Sequence, residues 1–439
     1  MFEKFDWIDG RIRRSINVDP ARAVSEIRID KSRSADALSA MNAWDQAVLK
    51  GAVPTLVSKP RGKRRIVDLF SGAGGLSLGV AQGLSAAGYQ PVVELAADLD
   101  PEALRIYERN ISPREVLCED ASQLVSRCIT RRVDRAYFRE KPWIRDRRLA
   151  ARLTGVDVLV GGPPCQGHSN LNNHTRRADP RNELYLVMPA VAVALDIPIV
   201  IIENVREVVA DYTQVVEHAS QLFKRSGYSV VQGTLSAKAL GLPQTRNRFF
   251  LIAVKGELGS SHELDFRSAI QRPVRNLRWA IGDLEGSEFS GIHRPATLSA
   301  ENRRRIDWLF EHNAYELPNH IRPKCHRNGH TYGSVYGRLH WERLSGTITT
   351  GFMSPGRGRF VHPSERRALT PHEAARIQGF PDSFHFEYPD GGIPSNKTLG
   401  KVIGDAVPPI MGQAAILIAL KLMSSSSVCA EEAVAAASL

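Results

Sequence analysis

The chain has 439 residues and a net charge of +11, and its ordinary apolar and charged fractions exclude a disordered or fibrous protein. The basic balance favours a polyanionic partner, with nucleic acid the first expectation. Five cysteines, odd in number and with no CxxC pair, exclude a disulfide framework and fit a reducing cytoplasm.

Residues 1–63 are polar and basic, with no signal-peptide core, and read as an extension and linker with one helix near residues 35–49. From Arg65 the pattern changes. "RIVDLF" reads as a buried strand, "SGAGG" as a tight turn, and "LSLGVAQGLSAAG" as a helix closed by Gly88. "PVVELAAD" is a strand and "PEALRIYERN" a helix entered through Pro101. A basic insertion at 127–152 interleaves Tyr137, Phe138 and Trp143 with arginines; a nucleic-acid contact and a solvated basic helix both fit it.

"VDVLVGG" is the next strand, followed by the apolar run "YLVMPAVAVAL", too short to cross a bilayer, so no membrane partner is expected. "IPIVIIEN" is a strand. A helix over 206–227 would place Val209, Tyr212, Val216 and Phe223 on one face, and "RFFLIAV" is a late strand. Apolar runs alternating with amphipathic helices predict an α/β fold with a doubly wound, mostly parallel sheet. Residues 255–365 lose the alternation and read as a smaller irregular domain with short strands. Helical pattern returns at "TPHEAARIQGF" within a hinge segment, 366–394. The segment 395–424, with its apolar helix, completes the domain begun at 64–254, and 425–439 is a tail. Cys325, His326 and His330 lack the paired spacing of a zinc site, and no metal is expected.

Two stretches carry chemistry. The first is the turn "DLFSGAGG". Gly72, Gly74 and Gly75 allow a tight turn and close approach of a ligand at a helix N-terminus. Asp98 ends the following strand, where an acid would bind ribose hydroxyls. Ser77 stands where a dinucleotide motif has its third glycine. A phosphate-free nucleoside such as S-adenosyl-L-methionine therefore fits better than a nicotinamide dinucleotide. The second stretch is "GGPPCQGHS", which stiffens the backbone around Cys165. A free thiol of pKa about 8.5 is only about 3% ionised at pH 7, so a nucleophilic cysteine needs aim and anion stabilisation from its loop. Glu203 ends the next strand, and Arg246 and Arg248 follow on an extended segment, converging on the same cleft.

In their order, "DLFSGAGGLSLG", Asp98, "CEDASQL", "GGPPCQGHS", "ENV", "LPQTRNRFFLIAV", "RALTPHEAARIQGFPDSF" and "IGDAVPP" resemble the motifs of the DNA (cytosine-5) methyltransferases of prokaryotic type, over about 65–419. The resemblance implies a Rossmann-like fold dependent on S-adenosyl-L-methionine, with a target-recognition domain at 255–365. It implies that Cys165 adds to C6 of a flipped-out cytosine in duplex DNA, that Glu203 protonates N3, and that Arg246 and Arg248 position the base and its phosphates. Around the cofactor it implies Phe70 and Leu99 on adenine, Asp98 on ribose and Asp120 on the adenine amine. Gly72, Gly74, Gly75, Pro164, Leu184, Asp405 and Val407 belong to the same site. Gln166, Ser169, Arg176 and Arg177, with Arg181, would face DNA from a mobile loop. The family usually has asparagine where Asp405 stands; aspartate is the same size but lacks the amide donor. A monomer in the cytoplasm, with a cognate restriction endonuclease acting on the same DNA site, completes the expectation. Three alternatives stay open: an RNA (tRNA) cytosine-5 methyltransferase on the same fold, a catalytically idle DNA-binding homologue, and a nicotinamide oxidoreductase.

Overall fold

The computed structural model describes residues 3–18, 21–29, 36–132, 135–164, 180–210, 212–257, 266, 270–327 and 334–437. The chain begins with three antiparallel strands, β1 (Glu3–Ile8), β2 (Arg11–Val18) and β3 (Ala21–Arg28), then helix α1 (Ala37–Leu49) and the short strand β4 (Thr55–Leu56). The expected extension is thus a folded unit. Its core is Phe5, Ile12, Ile27, Ala40 and Trp44, five scattered residues that give no long apolar run to read.

The alternating region builds the predicted sheet. Its strands are β5 (Lys63–Leu69), β6 (Gln90–Ala97), β7 (Val116–Leu117), β12 (Val158–Gly161), β13 (Ile199–Asn204), β14 (Tyr228–Ser236) and β15 (Asn247–Lys255). They lie in the order β14-β15-β13-β12-β5-β6-β7. Only β15 runs against its neighbours. The apolar runs of β12 and β13 are buried on both faces, as a parallel sheet requires. One face is covered by α2 (Gly75–Ala86) and α11 (Pro409–Ala437), the other by α4 (Arg147–Leu153), α5 (Val187–Leu195) and α6 (Val215–Arg225). Helix α3 (Pro101–Ile111) joins β6 to β7, after which the chain crosses back to lay β12 on the far side of β5. That reversal opens a crevice between β5 and β12 at the C-terminal edge, the usual binding position in such sheets.

Helices α2 and α11 meet unusually closely. A methyl group on Gly79 would lie 1.8 Å from the Pro409 carbonyl oxygen, one on Gly83 2.3 Å from Ile416, and one on Gly412 2.6 Å from the Leu76 oxygen. The glycine spacing of "GLSLGVAQG" is therefore a packing face. The apolar segment Asn396–Ser424 is long and apolar enough to cross a membrane, but 72% of its apolar window is buried, mainly as core.

Several expectations are corrected. The helix anticipated over 206–227 breaks: a 3₁₀ turn covers Arg206–Ala210, Gln214 takes a left-handed φ of 51°, and α6 starts at Val215. Val209 and Tyr212 are consequently exposed. The basic insertion is not one helix. It contains β8 (Val125–Ser126), the hairpin β9 (Ile129–Arg132) with β10 (Arg135–Phe138), and β11 (Trp143–Ile144) ahead of α4. Ala136 is buried there and its N–H donates to Gln221 Oε1 at 2.6 Å, so the hairpin is seated on α6. In the irregular region the described residues form α7 (Leu277–Ile281), α8 (Ala300–Glu311) and isolated bridges rather than strands. The return segment carries α9 (Pro371–Ile377), started by a Thr370–Glu373 capping box, and α10 (Asn396–Asp405).

Candidate active site

Because β5, β6, β7, β12 and β13 are parallel, the residues at and beyond their C-terminal ends gather at one edge: Phe70–Gly75, Asp98–Leu99, Asp120, Gly162–Pro164 and Glu203. β15 runs the other way, so its start brings Arg246 and Arg248 to the same edge.

Phe70 has a left-handed φ of 57°, which turns the chain sharply out of β5. The Gly72 N–H donates to Asp98 Oδ2 at 2.8 Å, and Asp98 Oδ1 accepts from the Asp100 N–H at 2.9 Å. Asp98 therefore ties the turn to the end of β6. The glycines divide their work. Gly72 has open space where a side chain would be, as a ligand-facing position needs. Gly74 abuts the Tyr107 ring (2.9 Å), and Gly75 the Val407 carbonyl (2.5 Å). At these two positions packing also forbids a side chain, and Gly74 has a left-handed φ of 93° besides. Leu99 is 68% exposed, a large apolar side chain left open at the edge. Phe70, Pro164 and Leu184 are half-buried, and Asp120 accepts from the Ser122 N–H at 2.8 Å.

Beneath the turn lies a polar chain with no role in the motif reading. Tyr107 Oη donates to Ser77 Oγ (2.8 Å), which donates to Asp68 Oδ2 (2.6 Å), all buried. Burial pushes the Asp68 carboxyl up to about 7. Ser77 thus uses the vacant third-glycine position to pin α2 to β5 and α3.

β12 and β13 pair in register, Gly161 opposite Ile202. Gly162 consequently faces the carboxyl of Glu203: a methyl group there would lie 3.2 Å from Glu203 Oε2. Asn204 Nδ2 donates to the Pro163 carbonyl at 3.1 Å, and Asn204 Oδ1 accepts from the Val205 N–H at 2.8 Å. The loop that leads into Cys165 is therefore anchored beside Glu203. Asn204 was missed as a positioning residue, although a buried amide ending an apolar strand was a signal available in "ENV". Glu203 is buried and pairs with Arg248 Nε at 2.9 Å. Burial raises its carboxyl above the ordinary range, against the pull of Arg248 and Arg246. Tyr185, also buried, lies close enough for Glu203 to raise its hydroxyl further.

The two arginines do not act alike. Arg246 is buried, and its guanidinium donates to the Ile348 carbonyl (2.8 Å) and the Gly404 carbonyl (3.2 Å). It is a strut between the sheet and the end of α10, its guanidinium turned inward by those carbonyls. Gln244 is buried beside it, donating to Gln378 Oε1 at 2.9 Å. Asp405 is solvent-exposed at the end of α10, yet the protein packed around it raises its carboxyl, opposed by Lys401, Arg246 and Arg248. Cys165, Gln166, Ser169, Arg176 and Arg177 lie outside the described residues, and Arg181, just beyond them, is exposed. His330 is also outside; among the described residues no cluster of three or more His, Cys, Asp or Glu could hold a metal ion.

Sheet order and edge geometry define a doubly wound, Rossmann-like α/β fold. Solved structures of that shape include the Entamoeba histolytica methyltransferase EhMeth (16% identity, TM-score 0.51, 83% of this chain and 97% of that one). The S. pombe Dnmt2 methyltransferase is another (17% identity, TM-score 0.50, 82% and 99%). The family is fixed by sequence: the model of the C-5 cytosine-specific DNA methylases matches residues 64–418, and the chain belongs to that family. It is similar to the Type II methyltransferase M1.BsuMI of Bacillus subtilis, 41% identical over 78% of this chain and 77% of the relative. The Type II methylase M.HgiDII of Herpetosiphon aurantiacus is 28% identical over 79% and 92%. The chain is a DNA (cytosine-5) methyltransferase.

Proposed function

We propose that the protein methylates carbon 5 of a flipped-out cytosine in a specific duplex sequence, through a transient bond between Cys165 Sγ and C6, with S-adenosyl-L-methionine as donor. The observation that carries this reading is the anchoring of the Gly162–Pro164 loop beside the buried carboxyl of Glu203, one strand from the glycine turn.

The cofactor fits the cleft on two counts: the open space at Gly72 and the exposed apolar face of Leu99. Leu99 and Phe70 would take the adenine, Asp120 its amine, and Asp98 the ribose, its oxygens already ordered by two N–H donors. Pro164, Leu184, Val407 and Asp405 would complete the walls, the Asp405 carboxylate toward the cationic end. The bound cofactor supplies an electrophilic methyl group.

Cys165 attacks C6 as the thiolate. Glu203 donates its proton to N3 as electrons move onto the ring, a role suited to an acid whose pKa is raised by burial. Arg248 holds that carboxyl in one orientation. C5 would gain the methyl as that group's bond to the donor sulfur breaks, a base would remove the C5 proton, and the C6–S bond would break as N3 returns its proton to Glu203, restoring the ring and freeing Cys165. Extruding the cytosine costs a few kcal/mol, which contacts from Gln166, Ser169, Arg176 and Arg177 and from the region 255–365 would offset. Residues 366–394 are the hinge between that region and the catalytic layer. A monomer acting in the cytoplasm, beside a restriction endonuclease for the same site, completes the reading. Bisulfite sequencing of DNA from cells producing the protein tests it: one short sequence motif should carry protected cytosines, absent with Cys165→Ser. Protection without sequence preference, or retained in that variant, refutes it.

A further inference from the structure

Residues 3–56 stand ahead of the matched family region, yet they fold and are built into the rest of the molecule on three sides. On the first side, Ile16 and Val18 of β2 join the apolar cluster of Leu84, Ala87 and Ile416, under the catalytic sheet. Arg14 Nη1 donates to the side-chain oxygen of Gln413 on α11 at 3.0 Å.

The other two sides are the chain's crossings into and out of residues 285–370, the part of the recognition region 255–365 beyond α7 together with the start of the hinge 366–394. On the way out, between β15 and α7, Arg272 meets Glu3 Oε2 through Nη1 at 2.6 Å and Asp45 Oδ2 through Nε at 2.7 Å. Arg275 Nη2 meets the same Asp45 oxygen at 2.6 Å and Asn42 Oδ1 at 3.0 Å. Glu3 also pairs with Arg14. On the way back, the Asp382 N–H donates to the Leu49 carbonyl at 2.9 Å, and Gly51 lies against Ser383. Lys50 reaches Asp283 at 3.1 Å, and Arg376 joins the two crossings through the Ala280 carbonyl at 3.1 Å.

Any rotation of the region 285–370 over the cleft must bend both crossings. An apolar seam would allow sliding, because one arrangement of methyl groups costs little more than the next. A buried ion cluster does not: three guanidiniums and two carboxylates are matched in one arrangement, and a shift leaves a buried charge unpaired. We propose that the N-terminal unit is a brace. Glu3 and Asp45, acting through Arg272 and Arg275, are positioning residues that fix the recognition region over the catalytic cleft and so govern which DNA sites are methylated. This rests on the functional reading above.

The test compares full-length Asp45→Asn with the unaltered protein. KM and kcat are measured for a duplex carrying the preferred site, with cofactor Kd, active-site concentration and the bisulfite ratio of near-cognate to cognate methylation. A shift of about tenfold in duplex KM or in that ratio is expected, the upper part of the range for coupling through such networks. Cofactor Kd should stay unchanged. A lower active fraction with unchanged KM and unchanged ratio overturns the brace, since that is what simple destabilisation gives. Lys50→Met, at the solvent-accessible rim of the same contact, guards against misfolding of the first variant. It should move the ratio in the same direction by about two- to threefold; no movement counts against the proposal. The unaltered protein's own methylation pattern tests the activity, and only its difference from the variants tests the brace.

Discussion

Gly79→Ala probes the close seam between α2 and α11. The added methyl would sit 1.8 Å from the Pro409 carbonyl oxygen, a backbone atom that cannot rotate away. Restoring an ordinary contact near 3.4 Å separates the helices by about 1.6 Å at that point. Overpacking of this kind costs about 1–3 kcal/mol, and more where only backbone can yield. The displacement also reaches the cofactor turn, because Gly75 opens α2 and abuts the Val407 carbonyl. A loss of about 1.4 kcal/mol of contact at the turn is tenfold in affinity, so S-adenosyl-L-methionine affinity should fall by about tenfold. Thermal unfolding and calorimetric titration measure the two effects. Gly346→Ala, where a methyl group meets open space, is the control and should stay within about 0.5 kcal/mol of the parent. A Gly79→Ala protein with parental melting temperature and parental affinity would refute the helix-seam reasoning.

Three further outcomes follow from the buried groups and the basic insertion. Asp68 holds its proton to about pH 7 in the native state and to about 3.8 unfolded, so the native state binds more protons in between. Stability should therefore fall as pH rises across that window, by up to about 4 kcal/mol. Asp68→Asn should flatten the slope in chemical denaturation at pH 4 to 8, and an unchanged slope would contradict the assignment. Glu203→Gln should lower kcat by about 10² or more. Because the parent must carry a proton on Glu203, its activity should decline as pH rises through the elevated pKa, and the variant should lose that limb; a near-parental rate excludes the role. Neutralising Arg131, Arg132, Arg147 and Arg148 should reduce the salt dependence of DNA binding if they meet phosphates, by about one unit of slope for each phosphate no longer neutralised. Since Arg131 already pairs with Glu183 at 2.6 Å, its share should be the smallest; a constant slope removes the basic insertion from the DNA interface.

What could be read from the chain was what repeats or breaks a pattern. The apolar runs of β5, β12 and β13 marked the parallel sheet, and the turn residues between them marked its functional edge. The N-terminal sheet escaped notice because Arg11, Arg13, Arg14 and Glu26 interrupt its apolar positions, and their pairing is across strands. Arg246 looked like a partner of Arg248 at two-residue spacing, but β15 begins between them, and the carbonyls that hold Arg246 come from residues 348 and 404. Gly75 looks like the ligand-facing Gly72 in local sequence; only Val407, distant in the chain, gives it its packing role. In each case the missing information was a contact across more than a hundred residues or across strands, which local spacing does not carry.

The central claim is a covalent bond from residue 165 to the pyrimidine, and duplex DNA bearing 5-fluorocytosine at the methylated position tests it directly, since fluorine at C5 cannot leave as a proton. Incubated with S-adenosyl-L-methionine, the parent protein should form a denaturant-resistant adduct whose peptide map ends at Cys165, and Cys165→Ser should form none. Methyl transfer to ordinary duplex without any such adduct, or an adduct that survives in Cys165→Ser, would contradict the account.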